Sequence, residues 1–127
     1  MSKPVFRKTI IVAEDDTTMR ELIGLHLQAA GYAVRAVRNG FEAAQACLGL
    51  IPDLVLTDVY MPRMDGMEFV TLLRADPRLA EVPVIFLTID EGAYPQGKAL
   101  GAAGFLTKPI LVDKLLDTVR AVLAEAA

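Results

Sequence analysis

Hydrophobic positions along this chain alternate between two periods. Short runs at Thr9 to Ala13 (TIIVA), Tyr32 to Val37, Leu54 to Thr57 (LVLT), Val84 to Leu87 (VIFL) and Phe105 to Thr107 are too brief for helices. They are rich in β-branched and aromatic residues, and read as strands. Between them, apolar residues recur at helical spacing. From Thr18 to Ala30 these are Met19, Leu22, Ile23, Leu27 and Ala30, with Thr18 and Glu21 spaced as a capping box and Gly31 as the stop. Asn39-Gly40 turns into a helix from Phe41 to Leu48. Asp65 caps a helix running from Gly66 to about Arg74, with Glu68 reaching back to it; this helix buries Phe69, Val70 and Leu73 and ends at Asp76-Pro77. A last helix, about Leu111 to Ala124, turns Val112, Leu115, Leu116, Val119 and Leu123 inward. The segment Ile89 to Leu100 completes the alternation. Gly92, Pro95 and Gly97 weaken it, Pro95 by lacking a donor and clashing one turn back, so a short or irregular fourth helix is expected.

Five strands alternating with five helices imply an α/β doubly wound parallel sheet covered on both faces, its strands joined by right-handed crossovers. Parallel strands share one carboxyl edge, which is where ligands bind in such sheets. Glu14 and Asp15 follow the first strand, Asp58 the third, Thr88 the fourth and Lys108 the fifth. An Asp after a strand is also ordinary turn chemistry, so the stretch Asp53 to Gly66 alone leaves a reactive and a turn-forming Asp58 both open. The convergence of ends changes that. Three carboxylates in one place repel one another unless a cation is present, and a hard divalent ion meets the need. Mg²⁺ takes oxygen ligands and commonly only one or two carboxylates, so Asp15 and Asp58 are the natural direct ligands, with Glu14 through water and the backbone carbonyl of Tyr60 as a further ligand. Mn²⁺ shares this oxygen chemistry.

Composition bounds the rest. Residues 1–127 suffice for one domain, 54% of them hydrophobic, so a substantial core is expected. Residues 1–7 read as a leader, with no output domain in the sequence. A net charge of -3 and the lack of a Lys/Arg cluster argue against direct nucleic-acid contact. The first residues lack a secretory apolar segment, no run approaches the ~20 apolar residues of a membrane span, and Cys47 has no partner cysteine. A cytoplasmic location without membrane insertion is expected. His26 lies on the apolar stripe of the first helix and reads as structural. Cys47 reads as a small core residue, and Met61, Met64 and Met67 as packing. Asp16 either caps the first helix or enlarges the acid cluster, with capping favoured.

The acid pair Glu14-Asp15, DxxMPxMDG at Asp58 to Gly66, Thr88, GAxxFLxKP at Gly101 to Pro109, and Arg20 in the first helix together resemble the receiver domain of two-component response regulators, the CheY-like family. The resemblance spans nearly the whole chain. It implies strand order 2-1-3-4-5. It also implies that Asp58 accepts a phosphoryl group from a phosphohistidine on a sensor histidine kinase or phosphotransfer protein, and that the Lys108-Pro109 peptide is cis. The chemistry suits these residue types: phosphoryl transfer is mostly positioning and charge neutralisation, with Lys108 and the metal on the phosphoryl oxygens and Thr88 donating a hydrogen bond. Such a domain catalyses its own phosphorylation and dephosphorylation and turns over no external substrate. In the family, Thr88 moves toward the phosphoryl group and the ring matching Phe105 fills the space it leaves, which reports the mark to a downstream partner.

Departures from the family pattern are Ile89, where a small residue is usual and where a branched side chain would narrow access; Phe105, which lacks the hydroxyl of the commoner Tyr; and a shortened Thr88 to Gly101 segment containing Pro95. Tyr60 and Asp90 stand at positions that modulate dephosphorylation in relatives. Two other classes compete. An aspartate-nucleophile phosphatase would carry DxDxT, and Asp58-Val59-Tyr60 lacks the second acid. A receiver-like scaffold that signals without phosphorylation is encouraged by Ile89 and the altered fourth helix. A nucleotide-binding module is disfavoured, since no strand leads into a Gly-rich phosphate loop.

Overall fold

The computed structural model describes residues 7–126; the leader reading of residues 1–7 falls almost wholly outside them. Strands β1 (Thr9–Ala13), β2 (Ala33–Val37), β3 (Leu54–Asp58), β4 (Val84–Thr88) and β5 (Gly104–Thr107) alternate with helices α1 (Thr17–Ala29), α2 (Gly40–Ala46), α3 (Gly66–Ala75), α4 (Tyr94–Ala99) and α5 (Val112–Ala126). All pairings are parallel, in the order β2-β1-β3-β4-β5. The chain therefore reverses its direction of growth beside β1, and the ends of β1 and β3 flank the resulting crevice.

Side chains alternate across the sheet and build two cores. Ile11, Ala13, Val55, Val84 and Phe86 pack with α2 and α3 residues such as Ala43, Phe69, Val70 and Leu73. Ile10, Val12, Leu54, Leu56, Ile85, Leu87 and Leu106 pack on the other face with Ile23 and Leu27 of α1 and Leu115 and Val119 of α5. β3 and β4 are buried at every position, as the continuous apolar runs of central parallel strands require.

Element ends agree with expectation in part. Asp16 caps α1, as favoured from the sequence, its carboxylate accepting from Met19 N at 2.8 Å; the spacing of Thr18 and Glu21 forms no capping box, and the helix starts at Thr17. Leu22 is 47% exposed and Leu25 61%, and the buried seam of α1 is Ile23, Gly24 and Leu27. Val112 opens α5 but stays partly outside. The reciprocal box at Asp65 and Glu68 is present as read. The fourth helix is short: a 3-10 turn at Glu91–Ala93 feeds the six residues of α4. Pro95 does not disrupt it, because it sits in the first turn, where a backbone donor has no intrahelical partner to lose.

Candidate functional site

Asp58 is the last residue of β3 and only 5% exposed. Its Oδ1 accepts from the Val59 amide at 2.9 Å, and its Oδ2 accepts from Lys108 Nζ at 2.9 Å. The loop behind it is pinned from two sides. Gly66 N donates to Val59 O at 2.9 Å, and a Cβ on Gly66 would collide with the carbonyl of Asp58. Gly40, at the start of α2, donates to Met64 O at 2.8 Å; a Cβ there would lie 2.6 Å from the same oxygen. Arg63 takes a left-handed φ of 71°, and its guanidinium stacks 4.7 Å from the centre of the Phe41 ring. Close approach thus requires glycine at Gly66, where the loop ends, and at Gly40, where α2 meets it.

Lys108 enters from the end of β5. Its amide donates to Thr88 O at 2.8 Å, continuing the β4–β5 ladder, and its ammonium reaches both Asp58 Oδ2 and, at 2.7 Å, Glu14 Oε1. The Lys108-Pro109 peptide is cis. Glu14 is fully buried, and burial pushes its carboxyl up to about 7 against the opposing pull of Lys108. Its Oε1 is met by the Lys108 ammonium at 2.7 Å in a short ion pair. Burial would lower the Lys108 pKa, but the bonds to Glu14 and Asp58 outweigh it and hold the ammonium above its ordinary value.

Glu14, Asp15 and Asp58 each bring a carboxylate oxygen within 4.8 Å of the others. One ammonium against three acids leaves surplus negative charge at the mouth, and the exposed Asp15 has room to receive an ion there. The carbonyl of Tyr60 accepts no hydrogen bond from the described residues, so it too is free. An all-oxygen donor set with more carboxylates than nearby cations fits a hard divalent cation.

The other residues named from the sequence lie around this centre. Thr88 is fully buried, but its hydroxyl is turned away from Asp58: it donates to Asp90 O at 2.7 Å and accepts from Asp90 N at 3.2 Å. The Asp90 carboxylate caps the 3-10 turn through Gly92 N at 2.7 Å. Tyr60 is 57% exposed and Ile89 65%.

Phe105 is on the α3–α4 side of the sheet, half-buried against the core there. It stacks on Tyr94 at 4.3 Å and Phe86 at 6.0 Å, over Gly97, whose absent side chain makes the space. Tyr94 and Thr107 share a hydroxyl hydrogen bond at 3.2 Å across the outside. Here the half-buried Phe105 ring and a Thr88 hydroxyl bonded to Asp90 occur together. Sequence reasoning missed the Tyr94 cover and saw Gly97 only as a helix breaker. A glycine and a tyrosine three residues apart, opposite an aromatic on β5, carry the signal. His26 is half-buried and Cys47 buried, and neither joins the site.

A five-stranded parallel sheet in this order, with acids and a lysine meeting at its carboxyl edge, defines the CheY-like class of α/β domain. The family described as response regulator receiver domain matches residues 10–120, and the chain belongs to that family. It is 32% identical over 124 residues to the polar-differentiation response regulator DivK of Brucella anthropi, covering 94% of this chain and 98% of DivK. It is 36% identical over 116 residues to the DNA-binding dual master transcriptional regulator RpaA of Synechocystis, covering 90% of this chain but 48% of RpaA. The chain thus spans about half the length of that relative. Among solved structures, the chemotaxis response regulator CheY4 of Vibrio cholerae superposes with a TM-score of 0.87 at 32% identity, covering 92% of this chain and 99% of CheY4. No helix among the described residues is long and apolar enough to cross a membrane.

Proposed function

We propose that this receiver domain is a phosphoacceptor, with Asp58 taking a phosphoryl group from the phosphohistidine of a sensor kinase or phosphotransfer protein. The observation that carries the reading is the buried Asp58 carboxylate held between an ammonium and two further acids at the sheet's open edge. An Asp58 oxygen attacks phosphorus, the P–N bond breaks, and the imidazole leaves with its electron pair and takes a proton from solvent. Val59 N holds one Asp58 oxygen in place, so the carboxylate presents a fixed lone pair. Lys108 exchanges part of its contact with Asp58 for a phosphoryl oxygen, neutralising charge where it builds. Asp15 and Asp58, Glu14 through water, and the Tyr60 carbonyl would hold Mg²⁺ or Mn²⁺, and the ion, when bound, would supply charge neutralisation on the phosphoryl oxygens.

Thr88 provides the response. Its hydroxyl trades the Asp90 carbonyl for a phosphoryl oxygen, which releases the Asp90 cap and with it the 3-10 turn before α4. Phe105, held by Tyr94 and Gly97, serves as the brace against which that loop moves. The downstream partner reads the altered α4 side. Water attack on the acyl phosphate resets the site, with Tyr60, Ile89 and Asp90 at the rim setting its access. Incubation with Mg²⁺ and acetyl phosphate, followed by intact mass, tests the reading. The parent gains one phosphoryl group, while Asp58→Asn and chelator-treated parent gain none. Equal gain by Asp58→Asn refutes it.

A further inference from the structure

Arg20 lies in the second turn of α1, and its guanidinium is spent on the backbone of the acid pair. Nη1 donates to Glu14 O at 3.0 Å and to Asp15 O at 3.4 Å, and Nη2 donates to Thr17 Oγ1 at 3.4 Å. Among the described residues it makes no ion pair with any carboxylate. The placement matters because the two acids are held differently. Glu14 Oε2 accepts from Asp16 N at 3.1 Å, and its Oε1 faces Lys108, so its side chain is fixed from both ends. The Asp15 side chain is exposed and accepts no hydrogen bond from the described residues, so its direction follows from the backbone that carries it. That backbone is the turn that Arg20 ties to the first turn of α1.

We infer that Arg20 is a positioning residue for the metal: by clamping the Glu14 and Asp15 carbonyls it aims the Asp15 carboxylate at the cluster shared with Asp58. The inference rests on the metal reading above. It makes a prediction whose sign separates it from simple electrostatics. A cation beside an acid cluster repels an incoming Mg²⁺, so if charge alone mattered, removing Arg20 would tighten binding. If Arg20 positions Asp15, removing it weakens binding, by roughly tenfold as for other groups that orient metal ligands.

The experiment is calorimetric titration of Mg²⁺ alone into the metal-free full chain, for the parent, Arg20→Gln, Arg20→Lys and Asp15→Asn, with thermal unfolding of each in chelator. Expected is a roughly tenfold weaker Kd for Arg20→Gln, and a smaller loss for Arg20→Lys, which keeps the charge and one donor direction. Asp15→Asn should lose most of the affinity. A lower Tm with unchanged Mg²⁺ affinity means a structural role only and overturns the inference, as does tighter binding by Arg20→Gln. If Arg20→Gln does not fold, Arg20→Lys decides by the same criterion, parent-like affinity overturning the inference. A parent that binds no Mg²⁺ overturns the metal reading and the inference together. Parent-like binding by Arg20→Gln overturns the inference alone.

Discussion

Replacing Lys108 with Met leaves two buried carboxylates facing each other with nothing between them. The ammonium lies 2.9 Å from Asp58 Oδ2 and 2.7 Å from Glu14 Oε1; Glu14 is 0% exposed and Asp58 5%. Removing one partner of a buried ion pair costs roughly 3–5 kcal/mol. The Lys108 side chain is itself 20% exposed and solvent screens part of the interaction, so about 2–3 kcal/mol is expected near pH ~8. The loss depends on pH through Glu14. Its carboxyl titrates near 7 when folded and ordinarily at 4.5, so between those values the folded state binds more protons and Glu14 costs stability as pH rises. Without the ammonium its pKa rises further. Near pH ~5 Glu14 in the variant is therefore neutral, and the loss should shrink to about 1 kcal/mol. Urea unfolding in chelator, at both pH values, measures this for the parent, Lys108→Met and the double variant Glu14→Gln/Lys108→Met. The double variant should regain most of the loss at the higher pH. An equal loss at both pH values, or a double variant no better than the single, refutes the reasoning.

Gly97→Ala places a Cβ 2.7 Å from two Phe105 ring carbons and 3.2 Å from Phe86. It should cost about 1–3 kcal/mol and shift the ring-current signals of Tyr94 and Phe105 in NMR, with Phe105→Leu relieving the loss. Neutral behaviour would show that the packing over Gly97 is looser than described. Arg74→Met should cost about 1–2 kcal/mol by urea unfolding, since it leaves three partly buried carbonyls without their donor. The Arg74 guanidinium donates to Leu100 O at 2.8 Å, Ala80 O at 3.0 Å, Val82 O at 2.6 Å and Gly101 O at 3.4 Å. Hydrogen exchange at residues 100–103 should accelerate with it, and unchanged exchange would mean the turn is held by other bonds.

Strand positions were readable because a parallel sheet buried on both faces demands continuous apolar runs, and VIFL and LVLT satisfy that without help from distant residues. The edge-on meeting of Asp58, Lys108 and the first-strand acids followed from parallel topology alone. Helix starts were harder. Thr18 and Glu21 have the spacing of a capping box, but Asp16, also legible as a cap, lies two residues earlier and is the stronger N-cap residue. Leu22 fits the apolar period yet faces out, since the width of a buried stripe depends on how the helix lies on the sheet. Pro95 was read as a breaker because its effect reverses with helix start, and α4 starts at Tyr94, just before it. The Tyr94–Phe105 stack and the Arg74 carbonyl bonds join residues from different elements, and no local period encodes them.

The central claim is that the group is carried by Asp58 itself as an acyl phosphate. Treating the Mg²⁺ and acetyl phosphate reaction with borohydride reduces such an anhydride to an alcohol, and peptide mass mapping then locates it. Homoserine is expected at position 58 and nowhere else. Reduction at Asp15 or Asp53 instead, or an unreduced chain after phosphoryl gain, contradicts it.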